Sequence, residues 1–240
     1  MKNLKKRIIS WIKEEVKKSG KKGVVLGLSG GLDSAVTAVL AKEALKENIL
    51  CLVLPCESPQ EDLNDAILIN QIFGLPIKTI DLSGVYKKLI EILPPANKIA
   101  YANLKPRLRM LVLYYFANKL NYLVCGTSNK SELLSGYFTK FGDGASDILP
   151  LGDLLKSQVK ELAKELDIPE KIVNKVPSAG LWPGQTDEKE LGLTYAELDD
   201  ILRKLEGKKQ LPPSEKVKRV KDLIKNSEHK RQMPHICKIG

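Results

Sequence analysis

Gly23-Val-Val-Leu-Gly27-Leu28-Ser29-Gly30-Gly31-Leu32-Asp33-Ser34 is the stretch that decides how this chain folds. Gly23 to Leu28 is an unbroken apolar run of strand length. Two adjacent glycines and an aspartate follow, and Asp33 to Lys46 reads as a helix. That order puts the glycine turn at the carboxyl end of a strand, where open α/β sheets bind ligands. A helix start there presents free backbone N–H groups and a partial positive charge. Adjacent glycines let the backbone approach an anion closely, and Ser29 and Ser34 add hydroxyls. In physical terms Gly27 to Ser34 is a phosphate cradle. It lacks the Gly-Lys-Ser/Thr of a Walker A loop, and Gly27, Gly30 and Gly31 are not spaced as a dinucleotide fingerprint. The Asp33 carboxylate would repel phosphate unless a divalent cation lay between them, so Asp33 implies Mg²⁺. An ordinary tight turn is the plainer reading of the same residues, and the ordered set of strand, double glycine, aspartate and helix argues against it.

Working outward, strands and helices alternate. Leu4, Ile8, Ile12 and Val16 form one apolar stripe on a lysine-rich helix that ends at Ser19-Gly20. Further strands are expected at Ile49–Leu54, Pro76–Asp81 and Tyr122–Gly126. Helices are expected at Gln60–Phe73, Val85–Leu93, Leu104–Leu120 and Asp153–Leu166. This alternation implies parallel βαβ units and a doubly wound α/β sheet with helices on both faces. The near-continuous apolarity of the strands agrees with a sheet covered on both sides. Ser135 to Leu151 has little periodicity, and Val176 to Thr186 (VPSAGLWPGQT) is a loop. Two helices, Glu188–Leu205 and the lysine-rich Ser214–Lys225, form a C-terminal helical appendage. No linker divides the chain, so residues 1–240 are expected to form one domain.

With 43% hydrophobic and 28% charged residues among 240, the composition is that of a soluble globular chain. It contains no apolar run long enough for a membrane span. Met1 to Arg7 is basic, but an amphipathic segment follows it, unlike a secretory signal. Four cysteines without close pairing, two of them (Cys51, Cys125) inside apolar runs, point to reduced thiols in a cytoplasmic protein. Lys plus Arg is 39 and Asp plus Glu is 29, a net charge of +10 concentrated toward both ends. Such an excess invites a nucleic-acid partner. It equally fits a solvated lysine-rich surface or an anionic small-molecule ligand.

Four more segments bear on the choice: Asn103-Leu-Lys-Pro-Arg107-Leu-Arg109-Met110, Gly126-Thr127-Ser-Asn-Lys-Ser-Glu132, Gly136-Tyr-Phe-Thr-Lys140-Phe-Gly-Asp143-Gly-Ala-Ser-Asp147, and Ser227-Glu-His229-Lys230-Arg231. The Ser29–Ser34 segment resembles the PP-loop of the ATP pyrophosphatases. With the other four it resembles the ammonia-dependent NAD synthetases along nearly the whole chain. The resemblance implies an adenine nucleotide alpha hydrolase-like fold. It also implies a reaction in which the nicotinate carboxylate of deamido-NAD attacks the α-phosphate of ATP. Pyrophosphate leaves, and ammonia displaces AMP to give NAD.

It further implies roles by matched position. Gly27, Leu28, Ser29, Gly30, Gly31, Leu32, Asp33, Ser34, Thr127, Lys156 and Ser178 would contact ATP. Asp33 and Glu132 would hold Mg²⁺, and Arg107, Lys140, Asp147, His229 and Lys230 would contact deamido-NAD. Ser29, Lys156 and Asp143 are the candidate catalytic residues. Asp143 would bind a second Mg²⁺, or orient or deprotonate ammonium. No glutaminase domain is apparent, so free ammonia is the expected nitrogen source. A homodimer with sites near the interface is also implied, and the apolar positions on Leu104–Leu120 serve either a partner helix or the internal core. A tRNA-modifying PP-loop enzyme is the alternative that the basic ends favour, but no CxxC pair accompanies Cys56. A non-enzymatic nucleotide sensor would have less reason to keep Asp33, Glu132 and Lys156 together.

Overall fold

The computed structural model describes residues 3–208 and 211–239; Met1, Lys2, Lys209, Gln210 and Gly240, which belong to the basic ends and the 1–240 span named above, lie outside the described residues. The chain begins with α1 (Leu4–Lys18), β1 (Gly23–Gly27), α2 (Leu32–Leu45) and β2 (Ile49–Val53). Next come α3 (Gln60–Phe73), β3 (Ile77–Thr79), α4 (Ser83–Ile92), α5 (Lys98–Ala102), α6 (Leu104–Leu120) and β4 (Tyr122–Val124). Beyond the last strand lie α7 (Lys130–Ser135), α8 (Lys156–Glu165), α9 (Glu170–Val173), α10 (Asp187–Leu191), α11 (Tyr195–Glu206), α12 (Glu215–Asn226) and α13 (Glu228–Arg231).

The four strands pair in parallel in the order β3-β2-β1-β4. Period-two alternation sends Val24 and Leu26 of β1 to one face and Val25 to the other. The first face packs on α1, α2, α3, α8 and α9, and the second on α4 and α6. Helices therefore cover both faces, as the apolar strands require. Ile8, Ile12 and Val16, the expected stripe, are the buried side of α1. A third cluster, built from Leu191, Leu193, Tyr195, Leu198, Leu202, Val217 and Val220, joins α10, α11 and α12 around Leu155 at the start of α8. This is the C-terminal appendage.

Several local expectations need correction. The third strand is limited to Ile77–Thr79, and the helix expected from Asp153 begins at Lys156. The helix expected over Glu188–Leu205 is two helices. Gly192 adopts φ 78° and ends α10, and Thr194 then caps α11 with its hydroxyl accepting from the Glu197 amide at 3.3 Å. Glycine in the left-handed region followed by a capping threonine stops one helix and starts another. The short helices α5 and α7 have too few residues for a periodic signal. Cys51, Cys56 and Cys125 are buried free thiols and Cys237 is exposed. No helix among the described residues is long and apolar enough to cross a membrane.

Candidate active site

In the order β3-β2-β1-β4, connections leaving β1 and entering β4 diverge to opposite sides, so a crevice opens outside the carboxyl ends of these two strands. A cleft of about 510 Å³ lies there, within the ordinary range for a small-molecule site. Gly27, Leu28, Ser29, Gly31, Leu32, Asp33, Ser34, Thr127, Glu132, Asp143, Lys156, Ser178 and Lys230 all line it.

The turn after β1 is held by its own hydroxyls. The Ser29 amide donates to Ser34 Oγ at 3.2 Å, the Gly31 amide donates to Ser29 Oγ at 3.2 Å, and Ser34 Oγ donates to the Gly31 carbonyl at 2.9 Å. Gly30 adopts φ +79°, and a Cβ there would lie 2.2 Å from the Asp62 carbonyl oxygen. Gly30 thus faces the α3 entrance and does not line the cleft; its role is to let two backbones meet. Lys175 Nζ reinforces the contact, donating to the Asp62 and Asp65 carboxylates at 2.7 and 2.5 Å and to the Gly30 carbonyl at 3.4 Å.

The segment after β4 places the second carboxylate. Asn129 caps α7, its Oδ1 accepting from the Glu132 amide at 3.0 Å while Glu132 Oε2 accepts from the Asn129 amide at 3.3 Å. The amide group of Asn129 donates to Asp33 Oδ1 at 2.9 Å, so one buried residue joins the β1 and β4 loops. Asn129-Lys-Ser-Glu132 is a capping box in the chain, but nothing in that local pattern signals the bond from Asn129 to Asp33.

Lys156 sits between the acids. Its ammonium bonds Asp33 Oδ2 and reaches Glu132 Oε1 at 3.3 Å. The backbone beneath it is fixed, because the Lys156 amide donates to Ser131 Oγ at 3.0 Å and Ser131 Oγ donates to buried Asp199 at 2.5 Å. Burial opposes the lysine charge, but Asp33 and Glu132 outweigh it and hold the ammonium above the usual lysine range. Burial and the neighbouring Asp33 push Glu132 up to about 8, against the pull of Lys156. Asp143 opens onto the cleft as an exposed side chain, and its Oδ1 accepts from the Thr139 amide at 2.9 Å.

Over the cleft, Ser178 Oγ donates to the Gln185 carbonyl at 2.8 Å, which folds its loop on itself. Buried Lys105 donates to the Leu181 carbonyl at 3.1 Å and lies 3.3 Å from Glu57, tying that loop to the one after β2. Arg109 holds the latter through the Leu54 carbonyl at 3.0 Å and Ser58 Oγ at 3.1 Å.

The remaining sequence candidates lie outside the cleft. Arg107 Nη2 donates to the Lys140 carbonyl at 3.4 Å, and Lys140 Nζ donates to the His229 carbonyl at 2.5 Å, so these three form one exposed group. Lys230, which does reach the cleft, donates to the Gly136 and Phe138 carbonyls at 2.7 and 2.8 Å. Asp147 is engaged with the sheet: its Oδ2 accepts from the Val124 amide at 2.7 Å and its Oδ1 from the Tyr114 hydroxyl at 3.3 Å.

The sequence profile of the NAD synthase family matches residues 4–234. The chain belongs to the NAD synthase family. It is 48% identical over 236 residues to an NH3-dependent NAD+ synthetase of Archaeoglobus fulgidus, covering 97% of this chain and 95% of that protein. Among solved structures, the NMN synthetase of Francisella tularensis superposes with a TM-score of 0.90 at 40% identity, covering 98% of each chain. The NH3-dependent NAD synthetase of Campylobacter jejuni superposes with a TM-score of 0.85 at 34% identity, covering 99% of this chain and 98% of that one. As an NAD synthase, the chain carries its acid–lysine cluster where the strand order reverses.

Proposed function

We propose that this chain is an ammonia-dependent NAD synthetase, a ligase that amidates deamido-NAD at the expense of ATP. An adenylated carboxylate forms first, with pyrophosphate leaving, and ammonia then displaces AMP. The observation that carries this reading is the convergence of Asp33, Glu132 and Lys156 at the carboxyl ends of β1 and β4. A carboxylate must be activated before an amine attacks it, and the activating step builds negative charge on phosphate oxygens.

ATP contacts fall to the amides and hydroxyls of Gly27 to Ser29 and Gly31 to Ser34, to Thr127 and Ser178, and to the Lys156 ammonium. Among the described residues no group of three or more His, Cys, Asp or Glu gathers as a metal site. The two hard oxygen donors Asp33 and Glu132 suit Mg²⁺, which takes one or two carboxylates and completes its shell from phosphates and water. Bound there, Mg²⁺ supplies charge neutralisation on the phosphates. Ser29 orients the reacting phosphate from the turn. Asp143, on the cleft wall with Oδ1 held by the Thr139 amide, takes a proton from ammonium.

Deamido-NAD contacts fall to Arg107, Lys140, Asp147, His229 and Lys230. Leu111 and Tyr115, four residues apart on α6, continue the line of Arg107 as an exposed apolar strip, 63% and 58% exposed. That strip supports a homodimer in which a second copy covers the dinucleotide residues. The shared sheet beneath two of the three apolar clusters supports a single domain spanning residues 1–240. The buried free thiols fit a cytoplasmic setting, and neither nucleic acid nor membrane is required.

The test is ammonium-dependent formation of NAD, AMP and pyrophosphate from deamido-NAD and ATP, with each component omitted in turn. Product formation without ammonium, or none with all components, refutes the reading. The similarity to an NMN synthetase favours a second reading, amidation of the corresponding nicotinate mononucleotide. Comparing kcat/KM for the two acceptors decides between them.

A further inference from the structure

Asp187 opens α10 below the loop that carries Ser178. It is 4% exposed and lines the cleft. Its Oδ2 accepts from the Tyr195 hydroxyl at 3.0 Å, whereas its Oδ1 has no hydrogen-bond partner. The Tyr137 hydroxyl also faces this carboxylate, but its single proton is committed to Glu190 at 2.5 Å. The Lys156 ammonium, already bonded to Asp33 and Glu132, lies 5.1 Å from the centre of the ring of the same Tyr195 that bonds Asp187. One ammonium therefore faces three acidic side chains.

A buried carboxylate with an unsatisfied oxygen costs stability. Burial accordingly raises the Asp187 carboxyl above the usual range. An uncharged side chain would serve the fold at least as well. A local cost of this kind on a cleft wall marks a position kept for function.

The chemistry indicates which function. When Asp33 and Glu132 turn to the cation that accompanies an incoming nucleotide, the Lys156 ammonium loses both partners while still enclosed by protein. It must stay charged to meet phosphate, and Asp187 Oδ1 is a free acceptor on the same wall. We propose that Asp187 is a positioning residue that supplies the counter-charge holding the Lys156 ammonium toward the phosphates once Asp33 and Glu132 are engaged by the cation that accompanies the nucleotide. Its amide donates to the Pro177 carbonyl at 3.0 Å, so the same residue also fixes the base of the Ser178 loop. The proposal rests on the placement of the ATP phosphates at Asp33 and Lys156.

The variant Asp187→Asn keeps the shape and an acceptor for Tyr195 but removes the charge. Without ligands its Tm is unchanged or higher by up to about 4 °C. With ammonia, kcat falls roughly 10- to 100-fold while the KM for ATP stays within about threefold, because the contact is drawn on after binding. A second measurement is independent of turnover. Lys156→Met leaves Asp33, Glu132 and Asp187 without their cation and lowers Tm. Adding Asp187→Asn to it recovers part of the loss, so the two changes are not additive. An Asp187→Asn protein that is less stable than the native chain, or that keeps native kcat, overturns the proposal. Additivity of the pair does the same. A native chain that makes no NAD from ammonia overturns the functional reading instead, and the thermal measurements do not depend on it.

Discussion

Gly30→Ala strikes the one place where the phosphate turn and the α3 entrance share space. The native φ is +79°, and the new Cβ would lie 2.2 Å from the Asp62 carbonyl oxygen. An L-residue in that backbone region costs about 1–2 kcal/mol, partly offset by about 0.4–1 kcal/mol from the stiffer unfolded chain. Relief of the overlap needs a backbone shift of about 1 Å, and overpacking of this sort costs a further 1–3 kcal/mol. The sum is roughly 1–5 kcal/mol, or a Tm loss of about 2–18 °C for a chain of this size. Because the turn carries Ser29 and Asp33, the same shift misplaces the phosphate contacts, at a cost of about 10²-fold in turnover. Gly20→Ala is the control: its φ is +67°, but nothing lies within 4 Å of the added Cβ. It lowers Tm by no more than about 5 °C and leaves activity intact. Calorimetry on both variants, with pyrophosphate release under saturating ammonium, supplies the readout. Equal Tm losses in the two proteins, or native turnover in Gly30→Ala, would refute the reasoning.

Three other outcomes follow from the same geometry. Glu132 titrates near its ordinary 4.5 when unfolded and at about 8 when folded. The folded chain therefore holds the extra proton in that window, and stability falls as pH rises through it. Glu132→Gln flattens the ligand-free Tm profile between roughly pH 5 and 8, and an unchanged slope contradicts the burial argument. Asp147→Ala strips the Val124 amide of its acceptor and costs about 1–3 kcal/mol, read as a lower Tm without ligands. A native Tm would mean that Asp147 does not brace β4. Lys175→Met frees the 174–186 loop from α3, so protease cleavage within the loop speeds up and the KM for ATP rises. Native cleavage rates would show that the loop is held by Lys105 and Asp187 alone.

Much of this architecture was legible in the chain. The apolar strand before Ser29, the glycine pair and the helix after it carry their own local signals, and the α1 stripe is buried as its spacing requires. Gly192 and Thr194 also stood in plain view, yet the amphipathic pattern runs across them, and only cap geometry separates α10 from α11. Asn129 went unassigned because its two jobs involve residues 3 and 96 positions away, and only the first leaves a sequence pattern.

The sequence by itself determined the alternation of elements, the phosphate turn and the types of side chain that handle ATP. Those features depend on neighbours in the chain, through period, capping and backbone freedom. Tertiary structure alone decided that Lys156 lies between Asp33 and Glu132, that Asp187 stands behind them with one oxygen unpaired, and that Arg107, Lys140 and His229 gather away from the cleft. The reason is physical. Charge pairing and burial depend on which segments the parallel sheet brings to one edge, and residues 33, 132, 156 and 187 carry no mark of that meeting until the strands are in order.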